Sequence, residues 1–330
     1  MDPTVHDVAR RANVSISTVS RVLNDSAPVS EDKRRRVLQA VKDLQFTPNP
    51  AARSLLGQAT STIGTILPHI TGEFFADLLS GLDEGIKQHD YLLMVSASRR
   101  LEHDFIAALR GMYKRVDGLI IMAPELSAER VLTLTGSSVP VVFLNTHSTT
   151  PGMLSVNFDN RDGMVKIARH IADHGHKRAA YIGGPNDAFD AQERQQGFLE
   201  TAPDGLKVIY YSGDFSFECG YKNGQKILDS SPRPTVIVAA NDLSALGAMR
   251  ALLENGVSVP DEIAVTGFDG TRSAHFSTPS LTTVNVPIGQ LATNAVELLV
   301  NQLSDEPPYK NPEKSAELEL IIRESSSKKY

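Results

Sequence analysis

The sequence predicts an all-α helix-turn-helix head, joined by a short capped helix to an α/β body of two doubly wound parallel-sheet subdomains. Three observations carry this. The head holds three short amphipathic helical patterns. From residue 61 onward, apolar strand-like runs alternate with helical patterns, the signature of parallel sheets covered on both faces. Charge is also divided: residues 1–57 carry nine Lys/Arg against six Asp/Glu, a net of +3, in a chain whose formal net charge is −6. The remainder carries −9, so only the head suits a polyanion.

The 330 residues allow two or three domains, and 41% hydrophobic with 22% charged residues places the chain among ordinary globular proteins. No apolar run reaches membrane-spanning length, and the start "MDPTVHDVAR" lacks the apolar stretch of a secretory signal. Cys219 is the sole cysteine, so no intrachain disulfide can form and a reducing cytoplasm is the expected compartment.

In the head, "VHDVARRA" sets Val5, Val8, Ala9 and Ala12 at helical spacing. After a turn at Asn13 and Val14, Ser15 can cap "ISTVSRVLN", whose stripe is Val19, Val22 and Leu23. Ser30 can cap "EDKRRRVLQAVKDLQF", with Val37, Leu38, Val41 and Leu44 expected to face inward. Three short helices with a tight first turn match a helix-turn-helix unit. There the second helix enters the major groove, and its early residues meet base edges. Here those are Ile16, Ser17 and Thr18, then Ser20 and Arg21. Arg21 suits a bidentate contact to guanine, and Ser15, Thr18 and Ser20 suit phosphates or bases. The alternative is a small bundle with merely solvated polar residues; spacing, hydroxyl clustering and local charge together favour DNA. The run Lys33 to Arg36 reads as a solvated helix face.

Next comes "NPAARSLLG", from Asn49 to Gly57. Asn49 suits a cap, Pro50 the first helical position and Gly57 the stop. A helix of about two turns is marginal alone in water, so something outside it must hold it.

The motifs "VHDVARRANVSISTVSRVLN" and "VSEDKRRRVLQAVKDLQFTPNPAARSLL" resemble the LacI/GalR family of bacterial transcriptional regulators, and the similarity runs over essentially the whole chain. The resemblance implies that 49–57 is a hinge helix, ordered when two subunits lie side by side on an operator. Leu55 falls at the position that wedges open a minor-groove base step, and an apolar wedge kinks the duplex. Ala52 and Arg53 are expected to line the groove. The candidate DNA-contacting residues are thus Thr4, Val5, Ser15, Ile16, Ser17, Thr18, Ser20, Arg21 and Asn24 in the head, with Asn49, Ala52, Arg53 and Leu55 in the hinge.

The body reads as strand and helix in alternation: "STIGTILP", "FFADLLSGLDEGIKQHD", "YLLMVSAS", "LEHDFIAALRGMYKRV", "DGLIIMAP" and "VPVVFLNT". A second series runs from "DNRDGMVKIARHIADHG" and "RAAYIGGP" to "EIAVTGFDG". The resemblance implies the periplasmic-binding-protein type I fold, crossing between subdomains near Asp159, near Val286 and near residue 318. The expected division is 1–48 for the head, 49–60 for hinge and linker, and 61–330 for effector binding and dimerisation. The first subdomain takes about 61–158 and 287–318, the second about 159–286 and 319–330. The helix "GQLATNAVELLVNQL" returns to the first subdomain, and "LELIIRES" is the last strand.

Ligands of open parallel sheets sit beyond the carboxyl ends of the strands. The residues there include Pro68, Phe74 and Phe75; Ser96, Ser98, Arg99 and Arg100; and Asn145. In the second subdomain they are Asn186, Asp190, Gln192 and Arg194, then Asp214 and Phe215, Asn241 and Asp242, and Asp269. Such types suit a small polar molecule with an apolar face. The resemblance places effector contacts at Phe74, Asn145, Gln192, Arg194, Phe215, Asn241 and Asp269; Ser96 and Asp190 complete the candidate set. Asp269, in "VTGFDG", leads it. Asp269, Asn241 and Asp242 can equally cap the turns that follow them, and for Asn241 both readings stand open. Asp242 is read as structural, Phe75 as core, and Arg99 and Arg100 as solvated. Compared with commoner sugar-responsive members, Gln192 stands where arginine is frequent, Asn145 where aspartate is, Phe215 in place of a tryptophan, and "GEFF" in a loop that often carries asparagine and proline.

The expected protein is a DNA-binding transcriptional regulator, a repressor acting as a homodimer, with a sugar as effector and neither cofactor nor metal. The alternatives are a regulator responding to a purine or another metabolite, and a sugar-binding module without DNA function. An enzyme is disfavoured: "IGGP" is not GxGxxG, and GxSxG, HExxH and CxxC are absent. His174 and His176 lack the carboxylate or cysteine partners of a metal site. No leucine-heptad tail is present, so a dimer is expected rather than a tetramer.

Overall fold

The computed structural model describes residues 3–24, 27–46, 59–136, 139–146, 152–304 and 316–327. The chain divides into two compact units at Thr60/Ser61. The hinge segment, with Asn49, Ala52, Arg53 and Leu55, lies outside the described residues.

The first unit is three helices, α1 (Val5–Ala12), α2 (Ile16–Asn24) and α3 (Glu31–Leu44). Val8, Ala12, Val19, Val22, Val37 and Ala40 form its buried centre. Asn13 ends α1 in the left-handed region at φ 51°, which asparagine tolerates, and so tightens the turn into α2. Ser15 then caps α2, its hydroxyl accepting from Thr18 N at 3.2 Å. Arg11 reaches Asp43 at 3.1 Å and ties α1 to α3. One expectation fails: Leu38 is 51% exposed. The inward stripe runs Val37, Ala40, Val41, Leu44, and Leu38 lies one residue off it, about 100° round the helix.

The second unit holds two sheets. The first orders β2-β1-β3-β4-β5, from β1 (Thr62–Leu67), β2 (Leu92–Ala97), β3 (Gly118–Ile121), β4 (Val141–Leu144) and β5 (Leu154–Val156), all parallel. The second orders β11-β10-β9-β8-β6-β7, from β6 (Arg178–Ile182), β7 (Lys207–Tyr211), β8 (Val236–Ala239), β9 (Ala264–Asp269), β10 (Thr282–Asn285) and β11 (Glu319–Ile321). Only β11, against β10, is antiparallel. The five parallel strands of each sheet thus follow one winding order, although the sequence shows no internal repeat. Strands β5 and β10 escaped the sequence reading: LSV and TTVN lack the continuous apolar run that marks the equally short β3, β4 and β8.

The helices between strands are α4 (Glu73–Gln88), α5 (Glu102–Met112), α6 (Ala128–Thr135), α7 (Asn160–Asp173), α8 (Phe189–Thr201), α9 (Phe217–Leu228), α10 (Asp242–Glu254), α11 (Arg272–Phe276) and α12 (Ile288–Leu303). After β10 the chain leaves the second sheet, and α12 packs on α4 beside the first. A Cβ added to Gly81 in α4 would lie 2.1 Å from the Gly289 carbonyl oxygen, so glycine is what permits this approach. Thr293 Oγ1 donates to Gly81 O at 3.1 Å across the same contact.

Behind the second sheet, His170 on α7 is 6% exposed, and its Nε2 lies 2.8 Å from the Ser326 hydroxyl oxygen. Burial first, then the nearby His174 and His176 rings, push this imidazole down to about 4, with Asp173 opposing. The unfolded chain protonates it near 6.5. A depressed folded value stabilises the fold above the unfolded value, and that stability is lost as pH falls toward about 4. Thermal melts from pH 7 to 4 should therefore show a progressive loss reaching about 3 kcal/mol. His170→Gln should flatten that limb.

Candidate functional site

On the head, the α2 N-terminus gathers hydroxyls. Ser15 Oγ lies 2.8 Å from Ser17 Oγ and 2.9 Å from Thr18 Oγ1. Ile16 beside them is 42% exposed, an apolar residue held at the surface next to polar ones. Ser17 and Arg21 are exposed, Thr18 and Ser20 half-buried. At the start of α1, Thr4 donates to the Asp7 carboxylate from both N (2.9 Å) and Oγ1 (2.7 Å), and Val5 packs on the head's core. Asn24 closes α2, and its side chain lies outside the described set. Arg35 and Arg36 pair with Asp32 in their own helix, as a solvated face does.

The body carries a cavity of about 490 Å³ between the two sheets. Its lining follows from the winding. Pro68 follows β1, Met122 and Pro124 follow β3, Pro185 follows β6 and Asn241 follows β8. These are the strand ends on either side of the point where each winding reverses, where a crevice must open. Apolar walls come from Phe74, Phe75, Phe215, Leu243 and Leu246. The Phe74 and Phe75 rings meet edge to face at 5.3 Å.

Arg194 forms the floor. It is 3% exposed. Its Nε donates to Asn160 Oδ1 (2.9 Å), and its Nη1 donates to Ala240 O (2.7 Å) and Asp269 Oδ1 (3.1 Å). The guanidinium stacks 3.9 Å above the Phe268 ring and 5.7 Å from that of Phe215. Burial raises the Asp269 carboxyl, the Arg194 charge opposes that, and the Asp242 and Asp190 charges reinforce it. Three non-glycine lining residues hold uncommon backbone: Arg100 at φ 60°, Phe215 at φ 68° and Asp269 at φ 117°. For a bulky aromatic this costs on the order of 1–3 kcal/mol, and such strain concentrates where side chains must be aimed.

Of the candidate effector residues, Phe74, Asp190, Arg194, Phe215, Asn241 and Asp269 line this cavity; Ser96, Asn145 and Gln192 do not. Ser96 lines a separate hollow between edge strand β2 and α5, together with Arg99. Gln192 is exposed and donates from Nε2 to the Asn186 carbonyl at 2.7 Å. Asn145 is 2% exposed and sits behind the floor, its Oδ1 accepting from Asn160 Nδ2 at 2.9 Å. Hydrogen bonds link it to Arg194 through Asn160. Asn241 caps α10, its Oδ1 accepting from Ser244 N at 3.1 Å, and it also lines the cavity.

Asp242 is structural, its carboxylate buried and accepting from Thr271 N and Oγ1 and from Thr283 Oγ1. Arg100, read as solvated, lines the cavity and pairs with Asp187 at 2.7 Å. Phe75, read as core, lines it too. Glu73 and Ser273 were missed. They meet across the cavity, Ser273 donating from N (2.9 Å) and Oγ (2.7 Å) to the Glu73 carboxylate. The 200 residues between them in sequence hide that pairing.

A helix-turn-helix head and a two-sheet body enclosing a polar cleft define a ligand-responsive DNA-binding regulator. The comparisons agree. Residues 4–49 match the family described as bacterial regulatory proteins, lacI family, and residues 168–326 match a periplasmic binding protein-like domain. The catabolite control protein A of Priestia megaterium is 31% identical over 312 residues, covering 93% of this chain and 94% of that one. A structure of the lac repressor dimer, bound to operator and an anti-inducer, superposes with a TM-score of 0.85 at 28% identity over 99% of both chains. A complex of the transcriptional regulator CelR with cellobiose gives a TM-score of 0.66 at 28% identity, over 98% of this chain and 100% of that one. The chain belongs to the LacI family: it is a DNA-binding transcriptional regulator and not an enzyme.

Removing one partner of a buried ion pair leaves the other charge uncompensated. Arg194→Met should destabilise the fold by about 3–5 kcal/mol in urea titrations. Arg194→Lys, which keeps the charge and loses the fork, should fall between this variant and the parent.

Proposed function

We propose that this protein is a repressor that binds a near-palindromic operator as a homodimer and changes its operator affinity when a sugar occupies the cleft. The observation that carries the effector reading is the cavity itself, lined by the phenyl rings of Phe74, Phe75 and Phe215 together with Asp190, Arg194 and Asp269. Aromatic faces cover the C–H side of a sugar ring, while carboxylates and guanidinium take its hydroxyls. The CelR–cellobiose complex, a relative with a sugar, supports the same class.

The dimer reading rests on the outermost strand of the first sheet. β2 leaves Leu92 70% and Val95 40% exposed, on an edge with unpaired backbone groups. Leu92 and Val95 stand on opposite faces of that edge; an apolar edge left open invites pairing, and the same edge of a second copy satisfies it. Two heads then read two half-sites, with Ser15, Ser17, Thr18 and Arg21 toward the DNA. The hinge residues Asn49, Ala52, Arg53 and Leu55 belong to this proposal through the sequence alone. A sugar that prefers one arrangement of the two sheets shifts the population toward it, and operator affinity follows through linkage.

Operator binding measured by fluorescence anisotropy, with and without mono- and disaccharides, tests this reading. Arg21→Ala should weaken the specific site by about 10–100-fold while leaving non-specific binding nearly unchanged. Leu55→Ala should also weaken it and reduce the bend of the DNA. A purine response with no sugar response would replace the effector class.

A further inference from the structure

The periphery of this cavity is crowded with helix starts. The first turns of α4, α8, α9, α10 and α11, or their capping residues, contribute Glu73, Asp190, Ser216, Asn241, Thr271 and Ser273 to its lining. A helix N-terminus carries free N–H groups and a partial positive charge, and is a ready-made anion site. Four of these helices, α4, α8, α9 and α10, are long enough to carry such a site, and around one cavity they ought to favour a phosphate or carboxylate.

The ends of α8, α9, α10 and the short α11 are already answered by protein side chains, while α4, capped by Gly72, has no side-chain cap. In α8, Asp190 Oδ1 accepts from Ala191 N at 2.9 Å. In α9, Ser216 Oγ accepts from Cys219 N at 3.1 Å, and Asp214 Oδ1 accepts from Ser216 N at 2.9 Å. In α10 the Asn241 side chain accepts from Ser244 N. In α11, Thr271 Oγ1 accepts from Ala274 N at 3.4 Å, and Glu73 takes Ser273 N from the other side of the cavity. Glu73 itself stands in the first turn of α4 and keeps an anion from that end by its own charge.

The cations are matched as well. Arg194 is paired with Asp269 and Arg100 with Asp187. Asp190 and Asp214 have no cationic partner among the described residues. Four carboxylates, of Glu73, Asp190, Asp214 and Asp269, thus line the cavity against two guanidiniums that are both engaged.

We propose that the cleft selects by charge: it admits an uncharged, hydroxyl-rich ligand and rejects the phosphorylated or carboxylated form of the same molecule, with Asp190 the main source of the rejection. The selection rests on the sugar reading above and narrows it. Hydroxyl donors find acceptors in the Asp190 and Asp214 carboxylates. A phosphate brought to the same place meets these two charges in a partly dry site, where like charges a few ångströms apart repel by several-fold more than in water. The helix end there without a side-chain cap, that of α4, sets the Glu73 charge against it.

The test is calorimetry on the full-length protein with matched pairs: glucose and glucose 6-phosphate, ribose and ribose 5-phosphate, glucose and glucuronate. The neutral member that binds should do so at least about a hundredfold more tightly than its anionic partner. Asp190→Asn keeps an acceptor and removes the charge, so it should narrow that ratio by about tenfold; Asp214→Asn should narrow it less. Unchanged melting temperatures of both variants would separate this from misfolding. An anionic member binding as tightly as its neutral partner, or a ratio unmoved in Asp190→Asn, would overturn the inference and leave the sugar reading intact. If inosine binds and no sugar does, the sugar reading falls, and inosine against inosine 5′-monophosphate decides the charge selection by the same ratio.

Discussion

The buried guanidinium of Arg194 is the constraint around which the cleft is organised. A charge that is 3% exposed must be compensated on every side. Asp269 supplies the opposite charge, Ala240 a carbonyl, Asn160 an amide oxygen and Phe268 an aromatic face. These partners come from different parts of the fold: Ala240 from the end of β8, Asp269 from the end of β9, and Asn160 from the start of α7. One side chain therefore fixes the relative positions of three segments, and Asn160 extends the chain of hydrogen bonds to Asn145 beyond β4 of the first sheet.

That placement has a functional side. The floor lies where α7 leaves the first sheet for the second, and Val286, where the chain returns, donates from N to Asp269 O at 3.2 Å. Two of the connections between the sheets thus touch the same polar group. On the proposed function, a ligand altering how Arg194 and Asp269 share their hydrogen bonds would act directly on the segments that join the two sheets. The contacts at the rim, Arg272 to Asp77 at 3.0 Å and Arg100 to Asp187, are more exposed and correspondingly weaker. They suit a cleft that opens and closes.

Much of the site was legible because the winding of parallel sheets puts strand ends at the cleft. Reading the residue after each strand found Phe74, Asp190, Arg194, Phe215, Asn241 and Asp269. It failed where position after a strand and orientation toward the cleft part company. Ser96 lies within an edge strand, Gln192 points out from the first turn of α8, and Asn145 is turned behind Arg194 at a backbone φ of 47°. Departures from the family's pattern at Gln192 and Asn145 therefore bear on the ligand less directly than those at Phe215.

The sequence by itself determined the helical head, since its stripes of Val8, Ala12, Val19, Val22, Val37 and Val41 are local and periodic. It also determined the alternation that builds both sheets, because buried parallel strands must be apolar throughout. Only the tertiary structure decided which polar groups face one another. Glu73 meeting Ser273, Arg100 meeting Asp187 and Arg194 joining Asn160 to Asp269 are pairings between residues 34 to 200 positions apart. No period or motif encodes such distances. They are set by where rigid strands and helices come to rest once their apolar faces are buried, and the polar chemistry of the cleft is what that burial leaves in contact.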